Sequence, residues 1–180
     1  MKSLLAIVLI VSALNSGCRR HAAATNAKGE QMPDVHSLYL LIDRRDTQFD
    51  ALTVVMGWRA FTQVRPGRCT QPPTERFAAS QLPNEAVALI PGLLEQKGLQ
   101  PPLPPGGVWF ALATPDASTG ELQWRYFDHR YASVARCFSD LRAAIKAAGQ
   151  PVHEIPEWIE NKAVRAILAP RWLPHSVCRR

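Results

Sequence analysis

The mature part of the chain reads as an α+β domain, a small mixed or antiparallel sheet packed by about three to four helices. Three observations predict it. Residues 108–127 read as a β-hairpin with a turn at 115–120, and Leu122, Trp124 and Tyr126 alternate with Gln123, Arg125 and Phe127 at the period of a two-faced strand. The next segment carries Tyr131, Val134, Phe138, Leu141 and Ile145 at helical spacing, a stripe able to pack on that hairpin. With 47% apolar residues the chain can bury a real core, and the stretch 36–180 has a length that suits a single domain.

Taken in order, Leu38-Tyr39-Leu40-Leu41-Ile42 is a continuous apolar run, the pattern of a strand covered on both faces. Thr47-Gln48-Phe49-Asp50 has the spacing of a helix capping box, so residues 47–64 are expected to be helical, with 52–58 fitting a strand equally well. Residues 65–82 contain Pro66-Gly67 and Pro72-Pro73 and are expected to be loop. Residues 84–97 suggest a helix kinked or divided at Pro91, which lacks a backbone donor, and closed by Gly98. The proline-rich stretch 101–107 reads as an extended connector. After the hairpin, Asp128 is placed to cap the helix that Gly149 stops. A last helix is expected from Pro156 to Ala169, with Glu157 and Glu160 near its positive end.

The start of the chain has a different design. Met1-Lys2-Ser3 is positive, residues 4–14 are apolar, and Asn15-Ser16-Gly17 is small and polar, the three parts of a secretory signal. The apolar part falls short of the roughly 20 residues that span a bilayer. With Cys18 directly after Ser16-Gly17, residues 1–18 resemble a bacterial lipoprotein signal, with Asn15 standing where a large aliphatic residue is usual. The resemblance implies cleavage after residue 17 and acylation of Cys18; residues 18–35 are then the lipidated N-terminus and a flexible tether, which residues 19–35 suit by being small and polar without apolar periodicity. Because Arg19 follows Cys18, it also implies transit to the outer membrane, with the domain facing the periplasm. Two or more acyl chains would anchor the protein stably. Ordinary secretion with cleavage after Ala22-Ala23-Ala24 is the alternative.

The formal charge is +6, and loss of Lys2 with the signal would lower it by one. Much of it is arginine in the pairs Arg19-Arg20, Arg44-Arg45 and Arg179-Arg180, able to grip phosphate or carboxylate, or simply a solvated basic surface. Nucleic acid is not an expected partner for an exported chain. Of the four cysteines, Cys69, Cys137 and Cys178 remain beside Cys18. An oxidising compartment favours a disulfide, with Cys137–Cys178 the first choice and Cys69–Cys137 the next. No Cys–His spacing, including that to His129, His153 or His175, fits a metal pattern.

Catalytic motifs are not evident. Asp128-His129 is the most enzyme-like grouping, a base and its orienter, but capping by Asp128 explains it more simply. Ser133 and Ser139 lack a nucleophile elbow, Cys69 with His36 would oxidise, and Asp43, Asp46 and Asp50 are scattered acids. Of the tryptophans, 58, 109, 124, 158 and 172, one exposed indole at Trp158 or Trp172, in the last helix and tail, would make a good binding anchor, with a core position the default for each. The expectation is therefore a membrane-tethered lipoprotein of the cell envelope, without cofactor or metal. It would act as a non-enzymatic module that binds an envelope protein, as a complex subunit or an inhibitor of a toxin or enzyme. The alternatives are a small hydrolase acting on cell wall or lipid, and a binder of an anionic envelope polymer.

Overall fold

Seven antiparallel strands in the order β6-β5-β1-β2-β3-β4-β7 make one sheet that organises everything else. The computed structural model describes residues 37–44, 49–66, 72–99 and 109–169. The strands are β1 (Leu38–Arg44), β2 (Phe49–Met56), β3 (Arg59–Pro66), β4 (Glu75–Ala79), β5 (Trp109–Pro115), β6 (Leu122–Asp128) and β7 (Gln150–Pro151). The helices are α1 (Asn84–Val87), α2 (Leu89–Leu94), α3 (Ala132–Ala148) and α4 (Lys162–Leu168).

The register divides the residues between two faces. Tyr39, Leu41 and Asp43 of β1 stand opposite Val55, Thr53 and Ala51 of β2, and so share one face. Phe110, Leu112, Ala60, Ala79 and Phe127 lie on that face too, under α1, α2 and α3. Leu40, Ile42, Leu52, Val54, Phe61, Ala111 and Ala113 occupy the second face, under α4 and the segment 152–161. Both faces of β1 and β2 are thus covered, which is why those strands read as unbroken apolar runs and not as alternation.

α3 crosses the sheet from edge to edge. It comes after β6 at one border and leads into β7 at the other. Seventeen residues at the helical rise make about 25 Å, close to the roughly 29 Å that seven strands span. Its stripe Val134, Phe138, Leu141 and Ile145 is buried, and the Phe110 and Phe138 rings meet at 4.8 Å. Arg142 reaches Asp43 at 3.7 Å, and Lys146 pairs with Glu75.

Several expectations are corrected. The architecture is sheet-dominated, not a small sheet packed by three to four helices: 38% of the described residues are strand and 30% helix, and α3 alone exceeds seven helical residues. The span 47–64 is not a helix. From residue 49 onward it is the hairpin β2–β3, closed by the two-residue turn Gly57-Trp58. Gly57 takes φ +57°, and no residue type other than glycine has positive φ among the described residues, the pattern of a type II′ turn. The β-branched run Thr53-Val54-Val55 favours the strand, and Thr53 Oγ1 bonds Thr62 Oγ1 across it at 3.0 Å.

Residues 65–82, expected as loop, contain β4. The 84–97 helix divides at Ala88 into α1 and α2, so Pro91 sits in the first turn of α2, where a missing N–H costs little. The last helix starts at Lys162, not Pro156, capped by Asn161 Oδ1 accepting from Ala163 N and Val164 N. The hairpin, the long helix and its stop at Gly149 are as expected. Asp128 does not cap α3: the N-cap is Tyr131, with no side-chain cap bond, and Tyr131 is 41% exposed.

Candidate functional site

At the end of the sheet where β1 finishes and β2 starts, the second face turns from apolar to polar. Parity places Asp50, Gln63, Arg65 and Arg76 there, with Arg44 beside them. Asp50, Gln63 and Arg65 are all 0% exposed. Such groups are rare inside proteins unless paired, so this cluster is the most unusual feature of the domain.

Its hydrogen bonds run mostly to the cover on the second face. Gln63 Nε2 donates to Leu168 O at 3.1 Å, and Arg65 Nη2 donates to Leu168 O and, at 3.4 Å, to Ile167 O. These are carbonyls that the end of α4 leaves without helical partners, where a cation also meets the negative end of the helix dipole. Arg76 Nε donates to Gln63 Oε1 at 3.3 Å, and its Nη1 donates to His153 O. Asp50 faces Arg65 across one rung, yet both Asp50 oxygens and Arg65 Nε and Nη1 are buried without hydrogen-bond partners. Arg44 Nε lies 3.8 Å from Asp50 Oδ1.

The electrostatics reflect that burial. Desolvation pushes the Asp50 carboxyl up from 3.8 to about 6, against the pull of Arg44 and Arg65 and with a small push from Asp43. Burial, with Arg76 beside it, lowers the Arg65 guanidinium to about 10, and Asp50 opposes that shift. A displaced carboxyl beside displaced or crowded cations marks a functional candidate. What this cluster can do chemically is take up or release one proton near pH 6 and hold or free the end of α4.

The candidate residues of the sequence fall in different places. Asp43 and Asp50 lie on opposite faces and do not pair; Asp46 lies outside the described residues. Arg44, expected as free basic surface, borders the polar cluster. His129 Nδ1 does meet Asp128 Oδ1 at 3.3 Å. Asp128 is, however, engaged by Arg130 through its side chain and backbone N, which holds the carboxyl down at about 2.

Cys137, expected on the border of the stripe, is 3% exposed and disulfide-bonded. Cys18, Cys69 and Cys178 lie outside the described residues, as do residues 1–36, the 101–107 stretch, Trp172 and His175. Trp124 and Tyr126 stack with centroids 6.2 Å apart on the edge strand β6. A cavity of about 350 Å³ near β7 is lined by Ser80, Gly149, Gln150 and Trp158 among others, with no ionisable side chain. No group of three or more potential metal ligands occurs among the described residues.

The polar cluster escapes sequence reasoning. Its members come from three strands, and one of those, β4, lies where the prolines predict loop. The signal in the sequence is Asp50, Gln63 and Arg65 interrupting otherwise apolar strands, visible only once β2 and β3 are paired.

The fold and site together define a class: a seven-stranded antiparallel sheet enclosed between helices on both faces, with a buried carboxylate–guanidinium cluster at one end. Comparison with known protein families, with curated proteins and with solved structures finds no match for this chain.

Proposed function

We propose that the protein is a lipid-anchored component of the cell envelope, in the outer membrane facing the periplasm, that binds another envelope protein without performing chemistry on it. The observation that carries this reading is the signal-like segment ending in Ser16-Gly17-Cys18. Acylated Cys18 holds the domain at the membrane, and residues 18–35 set its reach. The half-buried aromatic pair Trp124–Tyr126 on an edge strand supports a binding role, since partly exposed aromatics are favoured interface anchors. Cys137 pairs with Cys178, or else with Cys69.

Two experiments test it. Cys18→Ser should move the protein from the membrane fraction to the soluble fraction; retention in the membrane rejects the lipid anchor. Affinity capture with the full-length tagged protein from detergent-extracted envelope should retain one protein in near-equal amount through a salt wash. Loss of all binding in moderate salt would instead favour an anionic polymer. A hydrolase reading rests on the Asp128–His129 contact and predicts cell-wall or lipid hydrolysis that His129→Ala abolishes.

A further inference from the structure

The cover on the second face is held at its polar end chiefly by side chains. Gln63 and Arg65 reach the last carbonyls of α4, and Arg76 reaches His153 O. Arg65 is the divided member. Its Nη2 is on α4, while its Nε and Nη1, without hydrogen-bond partners, share a rung with an Asp50 carboxyl that accepts no hydrogen bond and has Arg44 Nε 3.8 Å away. Directly opposed residues of an antiparallel pair have Cβ atoms about 5 Å apart, so a rotation of the guanidinium suffices to bring the two together.

We propose that the protonation state of Asp50 gates the attachment of α4 to the sheet. The neutral acid leaves Arg65 on Ile167 O and Leu168 O. The carboxylate draws Arg65 across the rung and loosens the end of the helix, leaving Gln63 alone on Leu168 O. A buried ionised carboxylate without donors is costly, whereas a neutral acid makes a weaker demand, and that difference drives the exchange.

The groups around Asp50 set the direction. From β1, Arg44 is 3.8 Å away, and Asp43 opposes ionisation from the other face. From β3 comes Arg65, with Gln63 beside it; Arg76 of β4 lies next to Arg65 and faces Gln63 and His153 O. From α4 come only the carbonyls, because Arg165 donates to Pro156 O and Ile159 O. No second acid competes for Arg65 from these elements: Glu75 of β4 pairs with Lys146 on the other face, and β3 and α4 carry none. Since burial holds the Asp50 carboxyl near 6, the helix end is held below that pH and loosened above it.

Backbone amide exchange of the full chain, corrected for the intrinsic effect of pH, tests the gate. Losing the shared Arg65 Nη2 donor on Ile167 O and Leu168 O predicts that α4 amides 164–168 exchange at least about tenfold faster at pH 7.5 than at pH 5.0. At pH 7.5 they should do so through a local opening, at a free energy below that of the β2 amides 52–55, which report global opening. In Asp50→Asn the α4 amides should stay slow at both values. Equal opening free energies in α4 and β2 at pH 7.5, or an undiminished α4 response in Asp50→Asn, would overturn the gate. Arg65→Met provides an independent check: its α4 amides should be fast at both pH values, and a response like that of the unaltered protein would also overturn it.

Discussion

Replacing Asp50 with asparagine should stabilise the protein at neutral and alkaline pH, although it removes half of what looks like a buried ion pair. The carboxyl is fully buried and moved from 3.8 to about 6, with burial outweighing Arg44 and Arg65. A carboxyl whose folded pKa is raised binds its proton more tightly in the folded state. Its contribution to stability is therefore complete below about pH 4, declines as pH rises through 6, and is lost above. The shift corresponds to about 3 kcal/mol at full ionisation, an upper figure because any movement of Arg65 toward the carboxylate offsets part of it.

Asparagine has nearly the shape of the neutral acid and does not ionise. Denaturant unfolding at pH 4.5, 6 and 8 should then show the Asn variant gaining on the unaltered protein as pH rises, from about 1 kcal/mol to about 3 kcal/mol. The slope with denaturant should stay unchanged. The reasoning is refuted if the variant is less stable at pH 8 by several kcal/mol. Breaking a well-made buried pair costs roughly 3–5 kcal/mol, and such a loss would mean that Asp50 and Arg65 are mutually satisfied in solution. A gap that does not vary with pH would also refute it, since the effect would then be packing and not charge.

Other substitutions have more direct consequences. Gly149→Ala should cost at least as much as a typical core substitution, about 2 kcal/mol or more. A Cβ there would stand 2.6 Å from Ile145 O and 2.7 Å from Ala78 O, both backbone atoms with little room to yield, and thermal unfolding would report the loss. Phe61→Ala removes a ring that is 0% exposed beneath α4 and should lower stability by about 3–5 kcal/mol in denaturant titration. Asn161→Ala deletes the cap of α4 and should cost about 1 kcal/mol, with faster amide exchange confined to 162–168.

The legible parts of this fold are those whose residue pattern admits one period. β5, β6 and α3 are readable because Leu122, Trp124 and Tyr126 alternate strictly and the stripe from Val134 to Ile145 repeats at helical spacing. β2 is not, because residues 51–55 are apolar or small on both faces, and a strand enclosed by two layers leaves no polar alternation to detect. The capping-box spacing at Thr47 then points toward helix, whereas Asp50 places its carboxyl inside the sheet. β4 is lost among prolines: Glu75, Arg76 and Phe77 look like loop until Glu75 is seen to pair with Lys146 and Arg76 to bond Gln63.

The same two-sided enclosure accounts for the polar cluster. A strand covered on one face can turn a charged residue to water by its parity alone, but Asp50 and Arg65 share a rung whose outer side is closed by the end of α4. Either residue alone on an apolar rung would be costly. Of the cluster, Gln63 and Arg65 give the last carbonyls of a two-turn helix the donors they lack, while Arg76 holds Gln63 and His153 O. α4 has only seven residues, too few for a helix to persist by itself in water, so its place depends on Val164, Ile167 and Leu168 beneath it and on Gln63 and Arg65 at its end. Replacing Asp50 and Arg65 together with Leu and Met should therefore preserve the sheet while freeing the helix end, a separation that a cluster serving only the core would not show.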